Sequence, residues 1–424
     1  GGDALYALDI SDPDNPAFLW AVGRTLTENA DEMGQTWSQP VITYIPGYTD
    51  DQDLPKPVVI VGAGYDPNKD SHSVGTADSM GRGIFFIDAE TGTVIRTVTP
   101  DAGSLLNVQA DGLQDSVPSE VAVLDSNNDL LTDRVYFGDT GGNVWRVDIG
   151  PRLPDAGDST ETWFATRLAV LGGNATDNDR RFFYKPEIAL LTLANGESVD
   201  AVMLGSGDRT NPLATDVDNF FYLLRDPQTT LYTDDAPTAA ECDDSDPDNY
   251  PLDNRCFLPI SHAALFDVPD NRLLNGADED DKADAVAELL AAPGWKYALT
   301  LSGEKVTTSG SVLAGELDFA TFSPVSLAAD INTCTPASGT GLRYYLDIFF
   351  DPGTPDDPPP DPLPPGDIPD DTSLYVTEEG QVYNPESPKT PPDPNDPDDD
   401  DSGFKERDAA LPPPYGNYWY SEEY

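Results

Sequence analysis

The feature that most constrains how this chain can fold is a loose internal repeat. Short runs rich in Val, Ile, Phe and Tyr, bounded by Gly, Asp, Asn and Pro, recur along it, and little of the chain has a helical period. They fall into passes: VVIVGAGY then GIFFIDAETGTVI, RVYFGDTGG then NVWRVDIG, AVMLGSGD then NFFYLLRD, and LDFATFSP then LRYYLDIFF. AETG after Asp88 and DTGG after Gly138 place glycine where a tight hairpin needs positive φ. The reading is all-β, a set of antiparallel meanders in which each pass is part of a propeller blade. ALYALDISDPDNPAFLWAV matches only the later half of a pass, so the chain is expected to begin inside a blade whose earlier strands lie upstream of Gly1. Equivalent positions, taken as Asp9, Asp88, Asp148, Arg225 and Asp347, are unevenly spaced, which requires long loops. The largest insertion spans about 226–290 and holds ADAVAELLAA at 283–292, the one convincing helical segment. The propeller is expected over 1–350.

Beyond that, 351–424 cannot build its own core. These 74 residues hold 18 of the 40 prolines and 20 acidic against 3 basic side chains, which predicts an extended, Pro-rich acidic tail. It is interrupted by SLYVTEEGQVYN and ends in an aromatic patch with Tyr415, Tyr418, Trp419 and Tyr420. The whole chain carries 23 basic and 77 acidic residues, a net charge of −54. Nucleic acid and anionic membrane surfaces are therefore poor partners, while cations and basic surfaces are natural ones. No apolar run is long enough for a membrane-spanning helix. Cys242 and Cys256 bracket a polar loop whose closure by a disulfide would contribute about 3 kcal/mol, which favours an oxidising compartment, and Cys334 is left over.

Within the second full pass lies a candidate metal loop, VAVLDSNNDLLTDRVYFGDTGGNVWRVD from Val121 to Asp148. Asp125, Asn127, Asp129 and Asp133 stand at positions 1, 3, 5 and 9 of an EF-hand-like turn, with Leu131 at position 7 offering its carbonyl. All five donors are oxygens, the ligand chemistry of calcium. Position 6 is Leu130 where glycine is usual, and position 12 is Tyr136 rather than glutamate. Strand-like flanks exclude a complete EF-hand.

GGDALYALDISDP, TWSQPVI, VVIVGAGY, GIFFIDAETGTVI, the 125–133 loop, YFGDTGGNVWRVDI, GWKYALTL and TCTPASGTGLRYYLD occur in an order that resembles the C-terminal propeller of PilY-type pilus proteins. The resemblance spans roughly 1–350. It implies a seven-bladed, modified, quinoprotein-like propeller preceded by a larger N-terminal region absent here. It also implies an exported, non-enzymatic protein of a Gram-negative bacterium, passing through the periplasm to the cell surface and the tip of the type IV pilus, or fimbrium. The implied roles are pilus biogenesis, twitching motility through extension and retraction, and cell adhesion. The implied partners are minor pilins and host or abiotic surfaces. The resemblance carries calcium onto Asp125, Asn127, Asp129, the Leu131 carbonyl and Asp133; Asn127 stands where aspartate is more usual. The acidic tail has no counterpart in it.

Two other readings use the same blades. A pyrroloquinoline quinone dehydrogenase needs an axial channel with a catalytic Asp, cation-binding carboxylates and a stacking Trp, and no such set is assignable among Trp20, Trp37, Trp145 and Trp163, which are expected to pack between blades. A pure scaffold would hold calcium only structurally. No catalytic residues are assigned: His72 and His262 are expected to be exposed loop histidines, and no G-x-S-x-G elbow occurs. GAGY at 62–65 and GSGD at 205–208 are strand-end turns, since neither opens a helix that could cradle phosphate.

Overall fold

A computed structural model describes residues 2–349 apart from 72–73, 102–103, 154–161, 194–195, 232–258, 269–271, 274–277, 314 and 325–338, together with 361–362, 375–376, 382–385 and 404–407. The three cysteines, His72 and the terminal aromatic patch lie outside the described residues.

The passes become successive sheets. The first holds β1 (Ala4–Asp9) and β2 (Ala17–Gly23). The second runs β3 (Val41–Thr43), β4 (Val58–Gly62), β5 (Ile84–Asp88), β6 (Val94–Thr99) and β7 (Asn107–Gln109). The third contains β8 (Ala122–Leu124), β9 (Arg134–Gly138), β10 (Asn143–Asp148) and β11 (Phe164–Val170). The fourth is built on β12 (Glu187–Thr192), β13 (Ser198–Gly205) and β14 (Phe220–Asp226). The insertion then supplies β15 (Ile260–Ser261), β16 (Phe266–Val268) and helix α1 (Glu279–Ala291), before β17 (Gly294–Ala298) returns to the fourth sheet. The fifth comprises β18 (Lys305–Val306), β19 (Ser311–Leu313), β20 (Glu316–Ser323) and β21 (Thr340–Asp347), edged by β22 (Asp361–Pro362). In the tail, β23 (Tyr375–Val376), β24 (Val382–Pro385) and β25 (Phe404–Arg407) pair as a further sheet.

Strand alternation explains why the central runs are apolar throughout. Val58 and Ile60 of β4 pack with Val135, Phe137, Trp145 and Trp163 of the third sheet, while Val59 and Val61 pack with Trp20 and Val22 of the first. Likewise Val202 and Leu204 of β13 meet Tyr136, Val144 and Leu168, and Ala201 and Met203 share the core with Leu317, Phe319 and Leu346. Successive side chains point to opposite faces, so the second, third and fourth blades are slabs that pack on both sides, whereas the first leaves Tyr6, Leu8 and Phe18 exposed. Trp20, Trp145 and Trp163 are buried as expected; Trp37 is not, being 61% exposed on the loop that joins the first two blades.

The strand-ending acid has a local cause in four blades, while in the third Asp148 is held by Arg146 instead. Asp9, Asp88, Asp226 and Asp347 each accept, through Oδ1, the N–H two residues on, from Ser11 (2.9 Å), Glu90 (2.9 Å), Gln228 (3.0 Å) and Phe349 (2.8 Å). These are Asx turns that carry the strand out of its blade. The fourth-blade equivalent is therefore Asp226, not Arg225. Arg225 faces the other way and donates to the last carbonyls of α1, Leu289 O (2.8 Å) and Ala292 O (3.1 Å). Asp226 instead enters a buried seam with Arg134, Arg146, Asp148, Asp200 and Tyr136.

Antiparallel meanders are not the whole architecture. β7 adds to β6 in parallel, and the insertion places β15 parallel to β11 and β16 parallel to β17. The insertion thus joins the outer edges of two neighbouring blades, and its exit segment is gripped by Arg134 and Arg146 through the carbonyls of Gln228, Thr229 and Thr230. His262 lies on this return and is not an exposed loop residue. It packs edge-on to Phe220 at 4.8 Å, meets the Tyr222 hydroxyl at 3.2 Å, and burial pushes its pKa down to about 4.

Asp88 gives the fold a measurable acid response. Burial alone would raise its pKa, but bonds from Lys56, Tyr48 and the Thr91 N–H outweigh it and hold the group at about 2. A depressed carboxyl stabilises the fold above its unfolded pKa of about 4 and loses that contribution as pH falls through the folded value. Asp88→Asn is expected to lower the thermal midpoint at pH 7 and to flatten the loss of stability between about pH 4 and pH 2, read by circular dichroism melts across that range.

Candidate functional site

The 125–133 loop joins β8 to β9, the first and second strands of the third blade. Its acidic side chains turn inward onto its own backbone. Asp125 Oδ1 accepts from Asn127 N (3.3 Å) and Asp129 N (3.2 Å), and Oδ2 from Leu130 N (2.8 Å). Asn127 Oδ1 accepts from Asp129 N (2.9 Å), and Asp129 Oδ1 from Leu131 N (2.9 Å). These bonds close a sequence of Asx turns that only Asp and Asn at alternate positions can make.

Asp133 is placed differently. It is 2% exposed, and its carboxylate accepts from Ser126 N (3.2 Å) and Ser126 Oγ (2.7 Å). Burial raises its pKa, while Ser126 and Arg134 pull it back. Ser126 is a site residue that the ligand spacing does not reveal; its only signal is a hydroxyl at the position after the first aspartate. The loop is also tied to the second blade, since Thr132 N donates to Tyr44 O (2.7 Å) and the Thr132 and Thr43 hydroxyls meet at 2.8 Å.

The backbone at the tip is left-handed at Asn128 (φ 61°) and Leu130 (φ 70°). Asparagine tolerates this; leucine does so at a cost of about 1–2 kcal/mol. The sixth position therefore holds the conformation a cation turn requires even without glycine. Position 12, Tyr136, is fully buried, and its hydroxyl bonds Asp226 at 2.9 Å, so it offers nothing to the loop.

Among the described residues no three His, Cys, Asp or Glu side chains form a ready-made metal cluster. The structure brings Asp125, Asn127 and Asp129 onto one turn with their oxygens engaged by N–H groups, and sets Asp133 behind them on Ser126. Donor chemistry and backbone both suit a hard cation: three carboxylates, an amide oxygen and the Leu131 carbonyl, around a tip already turned at Leu130. When bound, calcium would supply charge neutralisation and cross-link the two ends of the loop.

The other sequence candidates behave as structural elements. Gly62 and Gly205 end β4 and β13. A Cβ at Gly62 would lie 2.6 Å from Val117 O, so that turn is a close backbone approach between blades rather than a phosphate cradle. No helix among the described residues is long and apolar enough to cross a membrane.

Residues 1–165, which contain the loop, match the family model described as the PilY1 beta-propeller domain. Over those residues the chain is similar to PilY1 propellers. The type IV pilus biogenesis factor PilY1 of Pseudomonas aeruginosa PAO1 is 29% identical over 151 residues, 35% of this chain and 10% of that protein. The PilY1 homolog of Xylella fastidiosa is 29% identical over 164 residues, 36% of this chain and 9% of that protein. The matched segment thus spans about a tenth of the curated relatives' length. In fold, the chain is similar to the crystal structure of the Pseudomonas aeruginosa PilY1 C-terminal domain, with a TM-score of 0.57 at 17% identity, covering 91% of this chain and 77% of that one.

Asp129 is exposed and its carboxylate holds only the tip of the loop, on Leu131 N, so it separates ligation from folding. Asp129→Ala is expected to weaken calcium binding tenfold or more, about 1.4 kcal/mol, in isothermal titration, with little change in the calcium-free melting temperature.

Proposed function

We propose that this chain is the propeller portion of a type IV pilus biogenesis factor, exported, non-enzymatic and calcium-dependent. The observation that carries the reading is the PilY1 propeller match over residues 1–165, with the oxygen-donor turn 125–133 inside it. Calcium on Asp125, Asn127, Asp129, the Leu131 carbonyl and Asp133 stabilises the loop conformer that bridges the third blade to Tyr44 of the second. A ligand that binds one conformer better draws the population to it by its differential affinity. In the loaded state the surface engages the pilus tip and its minor pilins and opposes retraction; release favours retraction. The same surface supports adhesion to host or abiotic material, and the protein reaches the cell surface of a Gram-negative bacterium through the periplasm.

The test is to shear pili from the source cells with calcium present or chelated, and to follow this protein by immunoblot alongside twitching. Co-purification with pili that falls on chelation, and altered twitching in Asp133→Ala, are expected. Recovery only as soluble periplasmic protein, or normal motility with unaltered calcium affinity in Asp133→Ala, would sink the reading.

A further inference from the structure

We infer that Arg134 couples the proposed calcium ligand Asp133 to the neck of the insertion, residues 228–230, so that calcium at the 125–133 turn tightens the neck. The inference rests on the calcium reading above and names what that site controls. The insertion leaves the fourth blade just after β14 ends at Asp226, and residues 227–231 belong to no strand or helix. Three successive carbonyls of this neck turn onto two guanidinium groups. Gln228 O accepts from Arg134 Nη1 (3.2 Å) and from Arg146, Thr229 O from Arg134 Nη2 (2.9 Å), and Thr230 O from Arg146 Nη2 (2.9 Å).

Arg134 is the informative residue because it pairs with two anions that belong to different blades. It opens β9 directly after Asp133 and is 1% exposed. Its Nη1 meets Asp200 of the fourth blade, while Nε lies 3.8 Å from Asp133 Oδ1. Nε is buried and makes no hydrogen bond among the described residues. The Asp133 carboxylate rests on Ser126 and stays within ion-pair reach of Nε. One guanidinium thus faces the calcium ligand through Nε and the neck through Nη1 and Nη2. Arg146, equally buried, holds the same neck and pairs with Asp148 and Asp226.

Electrostatics fixes the direction of the coupling. Charges buried at this depth act on each other strongly because little water screens them. A dication on Asp133 turns the charge facing Nε from negative to positive. Attraction toward the loop gives way to repulsion, and the guanidinium is left to Asp200 and the carbonyls of 228 and 229, to which it donates more strongly. The coupling is reciprocal, so a loosened neck weakens calcium binding by the same factor.

The experiment is hydrogen exchange, read by mass spectrometry, on the full chain with calcium chelated or saturating. Gln228 N donates to Asp226 Oδ1 (3.0 Å) and Thr229 N to Pro227 O (3.1 Å), so both amides report the neck. Calcium is expected to slow exchange at the 125–133 turn and, by about fivefold or more, at the neck. Arg134→Lys keeps the charge but cannot fork to two carbonyls, and is expected to retain calcium protection of the turn while losing it at the neck. Arg146→Lys removes a neck donor of equal burial, and is expected to speed neck exchange in both states while keeping the calcium response. A protected turn with an unchanged neck in the unaltered protein would overturn the coupling alone, whether or not the variants fold. Exchange that calcium leaves unchanged at both places would overturn the calcium reading and the coupling with it. A neck response that persists in Arg134→Lys, or disappears equally in Arg146→Lys, would overturn Arg134 as the route.

Discussion

The structure depends on sheet faces packing against sheet faces. Because strand side chains alternate, β4, β9 and β13 each feed two cores at once, one on either side of the blade. Such burial, at roughly 25 cal/mol per Å² of apolar surface, holds the blades together. The loops are then at liberty to carry polar and strained sequence. Leu130 at positive φ and the acids of 50–53 and 125–133 are tolerated because β4 and β9, the strands that follow them, are anchored on both faces.

Buried charges meet in pairs between the third and fourth blades. Arg134 and Arg146 lie between the third and fourth blades with Asp148, Asp200 and Asp226, and also hold the carbonyls that lead into the insertion. A buried charge is tolerable only with its partners in place, so this seam fixes how the two blades and the insertion sit together. The insertion is structural at its return, since Ile260–Ser261 and Phe266–Val268 extend two different blades.

Much of this was legible in the amino-acid order. The paired runs around VVIVG and IFFID, the glycine turns and helix α1 follow from periodicity and turn chemistry, which act over a few residues. What was not legible depends on distant neighbours. Asn107–Gln109 and Ile260–Ser261 become parallel edge strands only because β6 and β11 offer them an edge. Arg225 and Asp226 are adjacent, and only the position of α1 decides which one continues the repeat. Trp37 reads as a packing tryptophan until the loop that carries it turns outward, and His262 reads as exposed until Phe220 and Tyr222 close over it. The spacing of Asp125, Asn127, Asp129 and Asp133 was plain, whereas the anchoring of that loop by Ser126, Thr43 and Tyr44 is tertiary.

The loop's inward hydrogen bonds fit a site that a cation would complete. Its backbone is already turned, and Asp125 and Asn127 both accept from Asp129 N. The most direct measurement is anomalous diffraction from crystals of the chain grown with calcium. The account predicts one strong peak within about 2.3–2.6 Å of oxygens from Asp125, Asn127, Asp129, Leu131 and Asp133. A calcium-saturated crystal with no peak at the loop, or with the ion held elsewhere, would contradict it.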